Sequence, residues 1–103
     1  MQADVVVDCK GMQIAPGYID LQVNGAFGID FSALHRDHPD DMVEQLHEAA
    51  RGFLKFGVTS FCPTIVTSAP DTYAKLVPSF ARFQGSAKAG ATNLGLHLEG
   101  YFN

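Results

Sequence analysis

Residues 39–66 read PDDMVEQLHEAARGFLKFGVTSFCPTIV, and the change of periodicity inside this stretch decides the fold class. Met42, Val43, Leu46, Ala49, Ala50, Phe53 and Leu54 recur at helical spacing, which predicts an amphipathic helix over 39–56. Pro39 suits the first helical position, Asp40 and Asp41 complement the positive end of the helix dipole, and Gly57 suits the residue just past the helix. The β-rich run Val58–Val66 then predicts a strand. Downstream, Ser68-Ala-Pro-Asp71 resembles a capping box opening a second helix toward Phe83, which Pro78 should kink or end early. A small-residue linker, 84–92, leads to a third strand over Asn93–Glu99. Upstream, Tyr18–Asn24 alternates Ile19, Leu21 and Val23 with Asp20, Gln22 and Asn24, a strand pattern. Gly25, Gly28 and Ser32 mark a loop running through His35 to His38. Two further short strands, Val5–Val7 and Met12–Ile14, flank the turn-prone Lys10-Gly11.

The order from Tyr18 is strand, loop, helix, strand, helix, strand. Strands separated by helices imply crossover connections and a parallel sheet, hence an α/β fold. Three strands and two helices cannot close a barrel, and a parallel sheet needs cover on both faces. The 103 residues match the size of one domain, but this incompleteness predicts a portion of a larger one. Seven Lys plus Arg against eleven Asp plus Glu leave a net charge of −4, with no basic run. That balance argues against nucleic acid or an anionic membrane as partner. Two cysteines, Cys9 and Cys62, make neither a disulfide framework nor a zinc knuckle; with no targeting or spanning segment legible, a reduced, cytoplasmic setting is expected.

Polar residues at the C-terminal ends of parallel strands are where such folds build sites. Asp20-x-Gln22-x-Asn24 is predicted to share one side of the first strand. These groups either satisfy one another and nearby backbone or bind something. His97-x-Glu99 ends the third strand; it reads either as a buried His–carboxylate pair or strand end, or as a metal ligand or acid–base group. Thr59, Ser60, Cys62 and Thr64 surround Pro63 on the middle strand. Cys62 reads as a small core residue. His35 and His38 are expected in solvent, and His47 on a solvated helix face. Phe53, Phe56, Phe61, Phe80 and Phe83 read as core. Gly25-Ala-Phe-Gly28 lacks the spacing of a phosphate loop.

Three motifs in register carry a resemblance: APGYIDLQVNG (15–25), GVTSFCPT (57–64) and LGLHLEG (94–100). Together they resemble the N-acetylglucosamine-6-phosphate deacetylases of the amidohydrolase superfamily, from about Val5 to Gly100. The resemblance implies a partial (β/α)8 TIM barrel. Its first three strands fall within 16–103, preceded by 1–15 as the end of a small β-sandwich. It implies removal of acetate from N-acetylglucosamine 6-phosphate with one divalent metal ion, zinc first. Glu99 matches the family's metal-binding glutamate. Gln22 and Asn24 stand where many amidohydrolases carry a His-x-His pair, and with His97 they are expected to line the site. The family's remaining metal ligands and its catalytic aspartate have no counterpart here. The chain alone is therefore expected to hold metal weakly or not at all and to be inactive. The full-length parent is expected to be a homodimer acting on a phosphorylated amino sugar, with no nucleic-acid or membrane partner. Tyr101 stands in place of the family's Pro, and Asn103 ends the chain. This suggests a truncated product reading into different sequence after Gly100, acting, if at all, by association with full-length subunits.

Overall fold

The computed structural model describes residues 2–101; Met1 and Asn103, which bear on the truncation reading, lie outside the described residues. Strand β1 (Tyr18–Val23) leads into a short hairpin, β2 (Gly25–Ala26) and β3 (Ile29–Asp30). Helices α1 (Leu34–Asp37) and α2 (Met42–Leu54) follow, then β4 (Val58–Ile65), α3 (Pro70–Leu76), β5 (Thr92–Asn93) and β6 (His97–Leu98). β4 is central: β1 pairs parallel to it on one side, and β5 and β6 pair parallel to it on the other. The predicted three-stranded parallel α/β unit is thus present.

Helix α2 and strand β4 behave as one packing unit. Leu46, Ala49, Ala50 and Phe53 of α2 are buried against Phe61 and Ile65 of β4, together with Phe31, Leu34, Tyr73, Leu76 and Phe80. Each large apolar side chain buried this way contributes about 1.5–3 kcal/mol. The Phe53 and Phe61 rings lie 4.9 Å apart, and Phe80 meets Phe31 edge-on at 5.9 Å. α2 ends at Leu54 with Lys55 as its C-cap, two residues before the expected end. Gly57 at φ +81°, a conformation that side chains rarely adopt, turns the chain into β4 with its N–H on Leu54 O. Gly90 is required for a different reason: at φ +114°, a Cβ there would sit 2.6 Å from the Ala50 carbonyl carbon, where the 84–92 segment docks on α2.

Several local expectations are corrected. Residues 5–7 and 12–14 are not strands. The Lys10-Gly11 turn does form, with φ +52° and +84° and a Met12 N–H to Cys9 O bond of 2.9 Å. Its arms are unpaired and stand in solvent, Val6 at 85% exposure; a lone two-stranded hairpin is marginal in water. The arm also explains a radius of gyration of 16.6 Å, where about 13 Å is usual for this length.

Pro39 and Asp40 form a turn, and α2 begins at Met42 with Asp41 as N-cap. No capping box forms: Ala69 is the N-cap of α3, Pro70 opens the helix, and the Ser68 hydroxyl donates to Val66 O instead. α3 ends at Leu76, before Pro78, as expected.

The segment 35–38 is largely helix α1 rather than loop, and His35 is half-buried with a buried Nδ1. His47 is half-buried and stacked on Phe83 at 4.1 Å, because Phe83 lies across α2. Phe56 is 70% exposed, beyond the end of α2, and stacks on Phe27. Cys62 is half-buried on the open face of β4 rather than in the core, since alternation sends Phe61, Pro63 and Ile65 toward the helices.

The third strand is split, and Pro63 supplies the reason. The carbonyls of Phe61 and Ile65 accept from Leu94 N–H and Glu99 N–H. Alternate residues of a strand point their backbone groups the same way, so Pro63 also faces this neighbour but has no N–H to offer. The break between β5 and β6 falls at that place.

Candidate functional site

The C-terminal ends of β1, β4 and β6 come together, and a β-bulge sets their geometry. Between Asp20 and Val23, β1 carries one more residue than β4 does between Phe61 and Pro63. The bulge breaks the expected alternation, so Asp20, Gln22 and Asn24 do not share one face. Asp20 is half-buried, and its Oδ1 accepts from Gln22 N–H at 3.1 Å. Val23 turns to the core, while Ile19 and Leu21 are left 61% and 67% exposed. Just past the bulge, where Val23 pairs opposite Pro63, the Val23 N–H also donates to Thr64 Oγ1 at 3.0 Å. Thr64 is fully buried, and its hydroxyl in turn donates to Cys62 O.

Two contacts cross β4 from one flanking strand to the other, a span of about 9.5 Å between backbones. Gln22 Nε2 donates to Glu99 Oε1 at 2.6 Å. His97 Nδ1 lies 3.2 Å from Leu21 O. A ring nitrogen facing a carbonyl must carry the proton, which leaves Nε2 of the neutral ring as the acceptor or ligand. Gln22, His97 and Glu99 are therefore gathered over the end of β4. Asn24 is exposed and one residue beyond β1, where its carbonyl accepts from Phe31 N–H.

The backbone around Glu99 is tied down from the β4–α3 side. Glu99 N–H donates to Ile65 O at 3.1 Å, and Thr67 Oγ1 donates to Glu99 O at 3.3 Å. Gly100 O accepts from Ser68 N–H at 3.2 Å and from the Tyr73 hydroxyl at 2.6 Å. Sequence reasoning missed Tyr73, because with Leu76 and Phe80 it reads as one more apolar position on a helix stripe.

Among the described residues, no three His, Cys, Asp or Glu side chains converge on a point that could hold a metal ion. What the geometry offers is one donor: an exposed carboxylate on a fixed backbone, joined to an amide rather than to a cation. That fits a single ligand of a centre completed by other residues. The displaced ionisations lie elsewhere on the surface. Arg51 is raised chiefly by its hydrogen bond to Glu48 and then Glu44, and Asp37 is lowered by its bond from Arg36. An open groove of about 710 Å³ between the β2–β3 hairpin and α2, edged by Phe27, Arg51 and Phe56, includes none of Gln22, His97 or Glu99.

These features define a parallel strand–helix unit with polar groups collected at its strand C-termini. No protein-family model matches the chain. Its relatives are more specific. It is 50% identical over 100 residues to the N-acetylglucosamine-6-phosphate deacetylase of Caenorhabditis elegans and 49% identical over 100 residues to that of Homo sapiens, each alignment covering 97% of this chain. The Haemophilus influenzae deacetylase is 34% identical over 94 residues. The chain is thus a homologue of one segment of the N-acetylglucosamine-6-phosphate deacetylases and spans 23% of the length of these relatives. Among the described residues, no helix is long and apolar enough to cross a membrane.

Proposed function

We propose that this chain is part of a metal-dependent hydrolase that converts N-acetylglucosamine 6-phosphate to glucosamine 6-phosphate and acetate. The observation that carries this reading is identity of 46–50% to six animal deacetylases over 97% of the chain. In this reading residues 16–103 are the first three strands of a (β/α)8 barrel. The open face bearing Ile19, Leu21 and Cys62 turns inward, and residues 1–15 pair within a β-sandwich. Both placements give cover to apolar groups that the chain by itself exposes. The parent is cytoplasmic and a homodimer.

Glu99 is the one metal ligand contributed here, with zinc as the ion. When bound, such an ion supplies Lewis acidity toward an amide carbonyl. Gln22 orients the carboxylate through its amide, His97 lines the site with Nε2 free, and Asn24 borders it. No catalytic acid or base lies in this chain, so the chain alone turns over no substrate. The test is deacetylase activity in a full-length protein carrying this sequence, with zinc content measured on Glu99→Gln. Retention of both zinc and activity in that variant would overturn the assignment of Glu99.

A second reading is favoured by one observation, the exposure of Val6, Ile14, Ile19 and Leu21 at 61–85%. Here the chain acts without catalysis, by associating with longer subunits through these surfaces. Co-purification of tagged chain with a full-length deacetylase supports it; a lone monomer with strongly protected β1 amides refutes it.

A further inference from the structure

Glu99 is followed by Gly100 at φ +97°, with nothing within 4 Å of where a Cβ would sit. Glycine brings no side chain to pack this backbone in place, and it has the largest conformational freedom to lose. What holds it is hydrogen bonding to the Gly100 carbonyl, and the shortest such bond comes from Tyr73 at 2.6 Å. Tyr73 is 4% exposed and rooted in the core beside Leu76. Its phenol has a single proton, given to Gly100 O at the shorter distance, and Val66 O at 3.2 Å is at most the weaker branch of the same bond. Its ring also meets Tyr101 edge-on at 4.9 Å. The residue after Glu99 is thus held by the Ser68 N–H and by a phenol anchored on another element.

We propose that Tyr73 is a positioning residue. By fixing the Gly100 carbonyl it holds the Glu99 carboxylate at the point over β4 where Gln22 meets it, and so sets metal affinity. The inference rests on Glu99 being a metal ligand. Tyr73 touches neither metal nor substrate; it acts through the backbone.

The experiment uses a deacetylase-length protein in which this chain replaces the matching 100 residues of the Caenorhabditis elegans relative. Zinc affinity is measured by competition with a fluorescent chelator, alongside thermal unfolding of the metal-free protein. Loss of an outer partner typically weakens metal binding about 10–100-fold. Tyr73→Phe is expected near the lower end, about tenfold, and Glu99→Gln well beyond it. Leu46→Val, a core trim on α2 far from Gly100 in sequence, controls for general loosening and leaves zinc affinity unchanged. Tyr73→Phe matching Leu46→Val, while Glu99→Gln loses zinc, overturns the positioning role and spares the metal reading. Wild-type affinity in Glu99→Gln overturns the metal reading itself. Should Tyr73→Phe fail to fold, Thr67→Val, which removes the hydroxyl on the Glu99 carbonyl, is read by the same outcomes.

Discussion

Replacing Thr64 by valine tests whether the bulge that aims Gln22 is held by a single hydroxyl. The two side chains have nearly the same shape, so the core is not vacated. What is lost is the acceptor for Val23 N–H at 3.0 Å and the donor to Cys62 O at 3.2 Å. Thr64 is fully buried, so water cannot take over at that position. The Val23 N–H keeps Cys62 O through its pairing opposite Pro63. The cost is therefore that of the two hydrogen bonds of the hydroxyl, about 0.5–1.5 kcal/mol each, and the methyl replacing the hydroxyl recovers at most about 0.8 kcal/mol. The expected net loss is about 1–2 kcal/mol. Thr64→Ser keeps the hydroxyl and loses only a methyl group, costing about 0.8 kcal/mol. Urea unfolding reads the global change as a shift in midpoint at constant slope. Amide exchange reads the local one, with Val23 accelerating roughly tenfold or more in Thr64→Val and little in Thr64→Ser. If serine proved more damaging than valine, or Val23 exchange were the same in both, the hydroxyl would not be what holds the bulge.

Other consequences are more local. Gly90→Ala combines a positive φ with a backbone clash at Ala50, and the conformation alone costs about 1–3 kcal/mol; a lowered thermal midpoint checks it. Asp37 is held below its ordinary 3.8 by its hydrogen bond from Arg36. Its folded value lies below its unfolded one, so its contribution is present above about pH 4 and lost as pH falls through the folded value. Because the pair is exposed, Asp37→Asn should leave the thermal midpoint nearly unchanged from about pH 5 to 8, and any difference should appear only in acid and shrink with salt. Arg51→Ala, which opens the exposed pairs with Glu44 and Glu48, should be close to neutral by urea unfolding.

Much of the fold could be read from residues whose meaning is local. The stripe Leu46, Ala49, Ala50 and Phe53 needs only helical geometry to become a buried face, and Gly57 needs only its φ to turn the chain after the helix. The same holds for Pro70 at the start of α3. Where tertiary partners decide, local reading failed. The valine-rich segment 5–7 has strand propensity but no strand beside it. Ser68 has the spacing of a cap, yet its hydroxyl finds Val66 O first. His47 looked solvated until Phe83, 36 positions away, was laid across it.

The candidate site divides in the same way. The sequence by itself determined a parallel strand–helix unit, polar groups at its strand ends, and, through three motifs, the relatives it is homologous to. These follow from short-range periodicity and from the chemistry of individual side chains. Only the tertiary structure decided that Gln22 meets Glu99 across β4 and that Asp20 and Asn24 do not share its face. Only there does Thr64 Oγ1 accept from Val23 N–H and the Tyr73 hydroxyl donate to the carbonyl after Glu99. A bulge changes side-chain parity by one residue, and hydrogen bonds between residues 22 and 99 or 73 and 100 exist only once the strands are in register. No local pattern encodes that register.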